Sequence, residues 1–94
     1  MLNIIVTYSL ITPKTGEDFV RELEESGAAA AVRAEDGCHQ YEYLYPASDP
    51  CRVVLLEQWD SREKQAVHMT QPHMAKIKSI KDKYCSDTQV MFFE

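Results

Sequence analysis

Residues 57–74 read E-Q-W-D-S-R-E-K-Q-A-V-H-M-T-Q-P-H-M. The apolar run Val53–Leu56 leads into Trp59, a helix start follows at Asp60, and His68 and His73 stand on either side of a Thr-Gln-Pro break. Pro72 restarts the helix in a first turn, where its missing N–H costs nothing. Ile77 and Ile80 anchor that second piece to about Lys83. A strand followed by a helix in two pieces therefore sets the second half of the fold. The chain has three histidines, and two of them lie here. Imidazole takes or gives a proton near neutral pH without special tuning. Two imidazoles beside an indole and beneath an apolar strand make a greasy pocket with a proton handle, the usual composition of a small-molecule site.

Upstream of this stretch, Arg52 to Trp59 carries V-V-L-L without alternation, so both faces of that strand must be covered. Asp60 is expected to cap the following helix, with Glu63 three residues on. A five-residue hairpin loop, Pro46-Ala47-Ser48-Asp49-Pro50, joins the strand to Cys38–Tyr45, which places His39, Tyr41, Tyr43 and Tyr45 on one face. Before it, Glu35-Asp36-Gly37 is a turn. A helix starts at Thr15, with its hydroxyl as cap and Asp18 at the third helical position, and runs to near Arg33. Phe19, Val20, Leu23 and Ala28 to Val32 form its apolar stripe, and Gly27 weakens its middle. Residues 3–11 alternate, with Ile4, Val6, Tyr8 and Leu10 on one side, and residues 88–93 form the last strand.

The order is β-α-β-β-α-β, the split βαβ pattern of α+β, ferredoxin-like folds. An antiparallel sheet of this kind carries its helices on one face. Here residues 53–56 and 90–93 make the other face apolar too. A bare apolar sheet face is an interaction surface, and pairing two of them gives a homodimer.

The 94 residues allow one domain, residues 1–94. A chain this short buries only about two thirds of the surface that it exposes when unfolded, which also favours a second subunit. The net charge is −5, and Lys76, Lys78, Lys81 and Lys83 are spread along one helix, not condensed into a patch. Nucleic-acid binding, which needs a positive stripe, is not expected. No apolar run approaches the ~20 residues of a membrane span, and the N-terminus lacks a basic leader. Cys38, Cys51 and Cys85 are odd in number and without metal spacing, as expected of free thiols in a reducing cytoplasm.

The segments E-D-G-C-H-Q-Y (35–41), E-Q-W (57–59) and H-M-T-Q-P-H-M (68–74) resemble the antibiotic biosynthesis monooxygenase family, most closely its small bacterial quinol monooxygenases. The resemblance covers the whole chain. It implies a dimeric α/β barrel with a pocket between sheet and helices in each subunit. It also implies oxygenation of an electron-rich aromatic, a quinol or phenol, by O₂ without metal, flavin or haem. The family is mixed, so two alternatives stand beside this one: an isomerase of a phosphorylated small molecule, and a non-catalytic dimeric ligand-binding or stress-response protein. The isomerase would need a cationic anchor, for which Arg52 and Lys76 are the candidates. Asn3 imitates the strand-one Asn of haem-degrading relatives, but the matching position lies near Thr7 or Ser9, which argues against haem breakdown.

Cofactor-free oxygenation needs a base to make an electron-rich anion, and a dry enclosure. His68, the first His of the family's H-x-x-x-P-H pattern, is the candidate base, since an imidazole pKa of about 6.5 suits that work. Its other reading is a structural ring tying the broken helix to the sheet. His73, the second catalytic candidate, sits in a helical first turn, where the dipole favours a neutral hydrogen-bonding ring. These two histidines show no third ligand at a suggestive spacing, so no metal site is expected. Trp59 either stacks on substrate or fills core. Tyr41 and Glu57 match family positions as substrate-binding candidates, or form a plain cross-strand pair. Glu57 is the less ordinary of these, because a carboxylate inside an apolar strand needs a partner.

Overall fold

The computed structural model describes residues 1–94. Its elements are β1 (Leu2–Leu10), α1 (Gly16–Glu25), α2 (Ala28–Arg33), β2 (Cys38–Leu44), β3 (Arg52–Trp59), α3 (Arg62–His68), α4 (His73–Tyr84) and β4 (Cys85–Phe93). The four strands form one antiparallel sheet in the order β2-β3-β1-β4. This is the α+β, ferredoxin-like architecture that the element order predicts. No helix is long and apolar enough to cross a membrane.

The period-2 pattern of β1 sets the layers. Leu2, Ile4, Val6, Tyr8 and Leu10 are all buried beneath the helices, with Val53, Leu55, Glu57 and Trp59 of β3 on the same side. Phe19, Leu23, Ala28, Ala29, Val32, Ile77, Ile80 and Tyr84 close the core from above. Phe19 meets Tyr8 edge to face, with ring centroids 5.2 Å apart, an arrangement that suits aromatic quadrupoles. β4 is an edge strand that the helices do not cover. Val90 and Phe92, opposite Val6 and Ile4, lie on the helix side and stay about half exposed. The apolar character of residues 90–93 is thus divided between the two faces. Only Met91 and Phe93 join Ile5, Val54 and Leu56 on the helix-free face.

Several local details depart from the sequence reading, each for a physical reason. The first helix is two helices. Thr15 caps α1 by accepting from the Asp18 N–H at 3.2 Å, as expected, but Gly27 adopts φ 81°, a left-handed conformation open to glycine, and breaks the axis. α3 is capped by Ser61, whose Oγ accepts from the Lys64 N–H, and not by Asp60, which bonds His39. His39 leaves the tyrosine face because β2 has a bulge between Cys38 and Gln40. Tyr45 leaves it because β2 ends at Leu44. β4 starts at Cys85, directly after α4 and three residues ahead of the expected strand. Cys38 pairs with Trp59 in register, and all three cysteines are free thiols.

Candidate functional site

A cavity of about 470 Å³ lies between α4 and the helix side of β1 and β4, within the size range of small-molecule sites. Met74, Ile77, Lys78 and Lys81 enter it from one face of α4, at the i, i+3, i+4, i+7 spacing that shares a face. Ile4, Val6 and Tyr8 form its floor, and Thr88, Val90 and Phe92 continue that floor onto β4. Tyr41, Glu57 and His68 close one end. The trough is possible because the sheet extends one strand beyond the helices.

The closed end is held by a residue that sequence spacing does not point to. Glu35 lies just past α2, where Gly37 at φ 86° turns the chain into β2. Its Oε2 accepts from His68 Nδ1 and from His73 Nε2, both at 2.8 Å. The His68 side chain is 3% exposed and that of Glu35 11%, so both hydrogen bonds lie largely out of water. A carboxylate accepts only, so each of these ring nitrogens must carry its hydrogen. For His68 this leaves Nε2 as the nitrogen available to a molecule in the cavity. The ring is fixed on its flat side by Trp59, with centroids 4.6 Å apart and planes 33° apart. Tyr41 meets its edge at 6.2 Å.

Glu57 and Tyr41 are register partners on β3 and β2, and both line the cavity. Glu57 Oε1 accepts from the Trp59 indole N–H at 3.0 Å, so the partner that a buried carboxylate requires lies two residues along its own strand. Burial still dominates and raises the Glu57 carboxyl above the usual carboxylate range, against the opposing pull of Trp59 and His68. Burial also holds the Tyr8 and Tyr41 hydroxyls well above the usual phenol range and pushes Tyr43 up to about 12. All three remain O–H donors at neutral pH.

Of the five candidate residues, His68, Tyr41 and Glu57 reach the cavity. Trp59 does not, because it is fully buried and serves as the platform behind His68. His73 is also outside and grips Glu35 from the far side. The expectation that the histidines lack a third ligand is corrected, since Glu35 completes a His, His, Glu set with donor atoms within 4.8 Å of one another. That donor set suits a divalent cation in type. Glu35 and His73, however, do not line the cavity, so an ion held there would be screened from its contents by the His68 ring. The proposed anion anchors are corrected too. Arg52 pairs with Asp49 at 3.3 Å, and neither Arg52 nor Lys76 lines the cavity, whereas Lys78 and Lys81 do. Asn3 accepts from Gln58 on the helix-free side, away from the trough.

Two outcomes follow from this geometry. Glu35→Ala strands two largely buried ring N–H groups, so urea denaturation should show a loss of roughly 2–5 kcal/mol; a loss of less than about 0.5 kcal/mol, the usual effect of a neutral surface substitution, would contradict the bridge. For Glu57, the raised carboxyl means that the folded protein keeps a proton that the unfolded chain has already released. Its contribution to stability is therefore present below the ordinary carboxylate value and falls as pH rises toward the raised one. Glu57→Gln should gain stability relative to the parent protein between about pH 4 and about pH 7, as the linkage relation requires. Equal differences at both pH values would show that Glu57 does not titrate in this way.

The sequence profile of the antibiotic biosynthesis monooxygenase family matches residues 1–79. No protein of curated function matches the chain in sequence. Solved structures share its fold closely. A candidate antibiotic biosynthesis monooxygenase from Nitrosomonas europaea superposes with a TM-score of 0.86 at 22% identity, over 98% of this chain and 86% of its own. A conserved protein from Methanosarcina mazei gives 0.86 at 15% identity, over 99% and 90%. A structure described as an antibiotic biosynthesis monooxygenase gives 0.80 at 20% identity, over 100% and 97%. With the family profile spanning β1 through most of α4 and the same fold in these structures, the chain belongs to the antibiotic biosynthesis monooxygenase family.

Proposed function

We propose that this protein is a cofactor-independent monooxygenase of an electron-rich aromatic, a quinol or phenol, and that His68 is its base. One observation carries the reading: an imidazole with one nitrogen committed to Glu35 and the other free, at the closed end of a largely apolar cavity. Family membership supports a small-molecule substrate. In the proposed sequence His68 Nε2 removes the phenolic proton, with Glu35 orienting the ring and stabilising the imidazolium that forms. The phenolate passes one electron to O₂, and the resulting radicals combine at a hydrogen-bearing ring carbon ortho or para to the oxygen. Cleavage of the O–O bond with loss of that carbon's hydrogen then gives a quinone and one water. The overall change, a phenol plus O₂ to a quinone plus water, needs no external reductant. Tyr41 donates a hydrogen bond to developing negative charge, while Trp59 and His73 act as positioning residues behind His68 and Glu35.

A panel of hydroquinones and naphthols, followed by oxygen uptake without added metal or flavin, tests the activity. His68→Ala should lower turnover roughly 10²–10⁴-fold and remove the lower limb of the pH profile, which reports deprotonation of the base. His73→Ala should cost stability but little rate. Equal, small effects of both substitutions on rate would remove the proton-transfer role and leave a ligand-binding protein.

The quaternary proposal rests on the helix-free sheet face, where Ile5, Val54, Leu56, Met91 and Phe93 are partly or largely exposed. A homodimer in the cytoplasm, where the three thiols stay free, accounts for that surface. Light scattering at roughly micromolar concentration should give twice the chain mass, as expected where a large apolar face is covered by a second copy. A stable monomer there would end the idea.

A further inference from the structure

The two ends of the trough differ chemically. At one end stand His68, Glu57 and Tyr41, near the pairing of Ile4 with Glu57 and with Phe92. At the other stand Lys78 and Lys81, on the half of α4 that leads into β4, near the pairing of Tyr8 with Thr88. Lys78 bonds Asp82 at 2.7 Å, and Lys81 also acts on that carboxylate. Lys78 is thus paired and Lys81 is not, so this end keeps one net positive charge. Lys81 is half-buried and makes no ion pair of its own. The remaining lining carboxyl, Glu57, stands at the opposite end, in register with Tyr41 and Ile4. In a chain of net charge −5, the lining of this cavity sets two lysines against one glutamate and so has the opposite sign.

We propose that the substrate is an aromatic acid: a flat apolar body with an ionisable phenol at the His68 end and a carboxylate, or a group of like charge, received by Lys81. This deepens the oxygenase reading and rests on the trough being the substrate site. Between the ends, Ile4, Val6, Met74, Ile77, Val90 and Phe92 supply the apolar walls. The seven residue steps from Met74 to Lys81 rise about 10 Å along the helix axis, and the four steps from Ile4 to Tyr8 span about 13 Å along the strand. A ligand that uses both ends therefore carries its two polar groups about 10 Å apart, as on two linked or fused rings and not on a single ring. Thr88 adds a hydroxyl at the Lys81 end. A phenol without the acid would fill the walls and reach His68, but it would leave Lys81 without a partner.

Anaerobic calorimetric titration with 4′-hydroxybiphenyl-4-carboxylate and with its methyl ester tests this directly, because the two differ in charge and hardly in shape. Wild-type protein should bind the acid about tenfold tighter, the scale of a charge-assisted hydrogen bond at a partly shielded site. That preference should shrink as salt is added, vanish in Lys81→Gln and persist in Lys81→Arg. Equal binding of acid and ester, an acid preference that survives Lys81→Gln, or no binding of either would overturn the proposal. Oxygen uptake measured separately with both compounds keeps the two readings apart. Selective acid binding without oxygen uptake supports the acid site and sinks the oxygenase. Uptake with equal binding does the reverse.

Discussion

One carboxylate oxygen shared by two imidazoles holds the closed end of the cavity in place. Glu35 Oε2 ties the turn before β2 to the end of α3 and to the start of α4, three elements far apart in sequence. Without it the interrupted helix would have no polar tie to the sheet at its break, and the His68 ring would have only its stacking on Trp59 to orient it. The shared acceptor also decides which His68 nitrogen carries hydrogen, and leaves Nε2 without that commitment. The same atom therefore serves the helix break and the orientation of the His68 ring, so the stability of that break and the proton transfer proposed for His68 are coupled.

The cavity itself owes more to the sheet than to the helices. Placing β4 at the edge beyond β1 extends the sheet past the helices, and the uncovered helix-side residues of β4 become one wall. A ferredoxin-like sheet with wider helical cover would bury Val90 and Phe92 and leave no trough. Accepting half-exposed apolar residues on an edge strand carries an aggregation hazard, and the proposed pairing of helix-free faces would protect the opposite side of the same strand.

The architecture was legible in the sequence because it rests on period. Ile4, Val6, Tyr8 and Leu10 could be assigned to one face from alternation alone, and Thr15 and Pro72 marked helix starts through local chemistry. Single-residue events were not legible. The bulge that turns His39 outward costs one residue of register and has no signature in composition. Ser61 and Asp60 are both good capping residues, and only the competing bond to His39 decides between them. Glu35 was hidden for a different reason: it sits in a turn 33 and 38 residues from its partners, and no spacing rule connects a turn carboxylate to a helix break. The segment E-D-G that contains it was read only as a turn and as part of the family resemblance. Lys78 and Lys81 were noted only as lysines spread along one helix, because the i, i+3, i+4, i+7 row that includes Met74 and Ile77 becomes a cavity wall only when an uncovered strand lies opposite.

The direct junction between α4 and β4 has a mechanical consequence. Tyr84 ends the helix and Cys85 begins the strand; the Tyr84 carbonyl accepts from the Ile11 N–H at 2.7 Å, and Cys85 pairs with Leu10. With no connecting loop there is no hinge, so α4 cannot swing outward without pulling β4 out of the sheet. The opposite end of α4 is pinned by the bond between His73 and Glu35. A helix fixed at both ends cannot act as a lid. Traffic into the trough must instead pass the flexible side chains at its rim, Met69 and Phe92, both about half exposed. Rotamer exchange at exposed side chains takes picoseconds to nanoseconds, whereas helix displacement takes microseconds or longer. Opening the trough thus calls for side-chain rotation on the faster of those scales and for no displacement of α4.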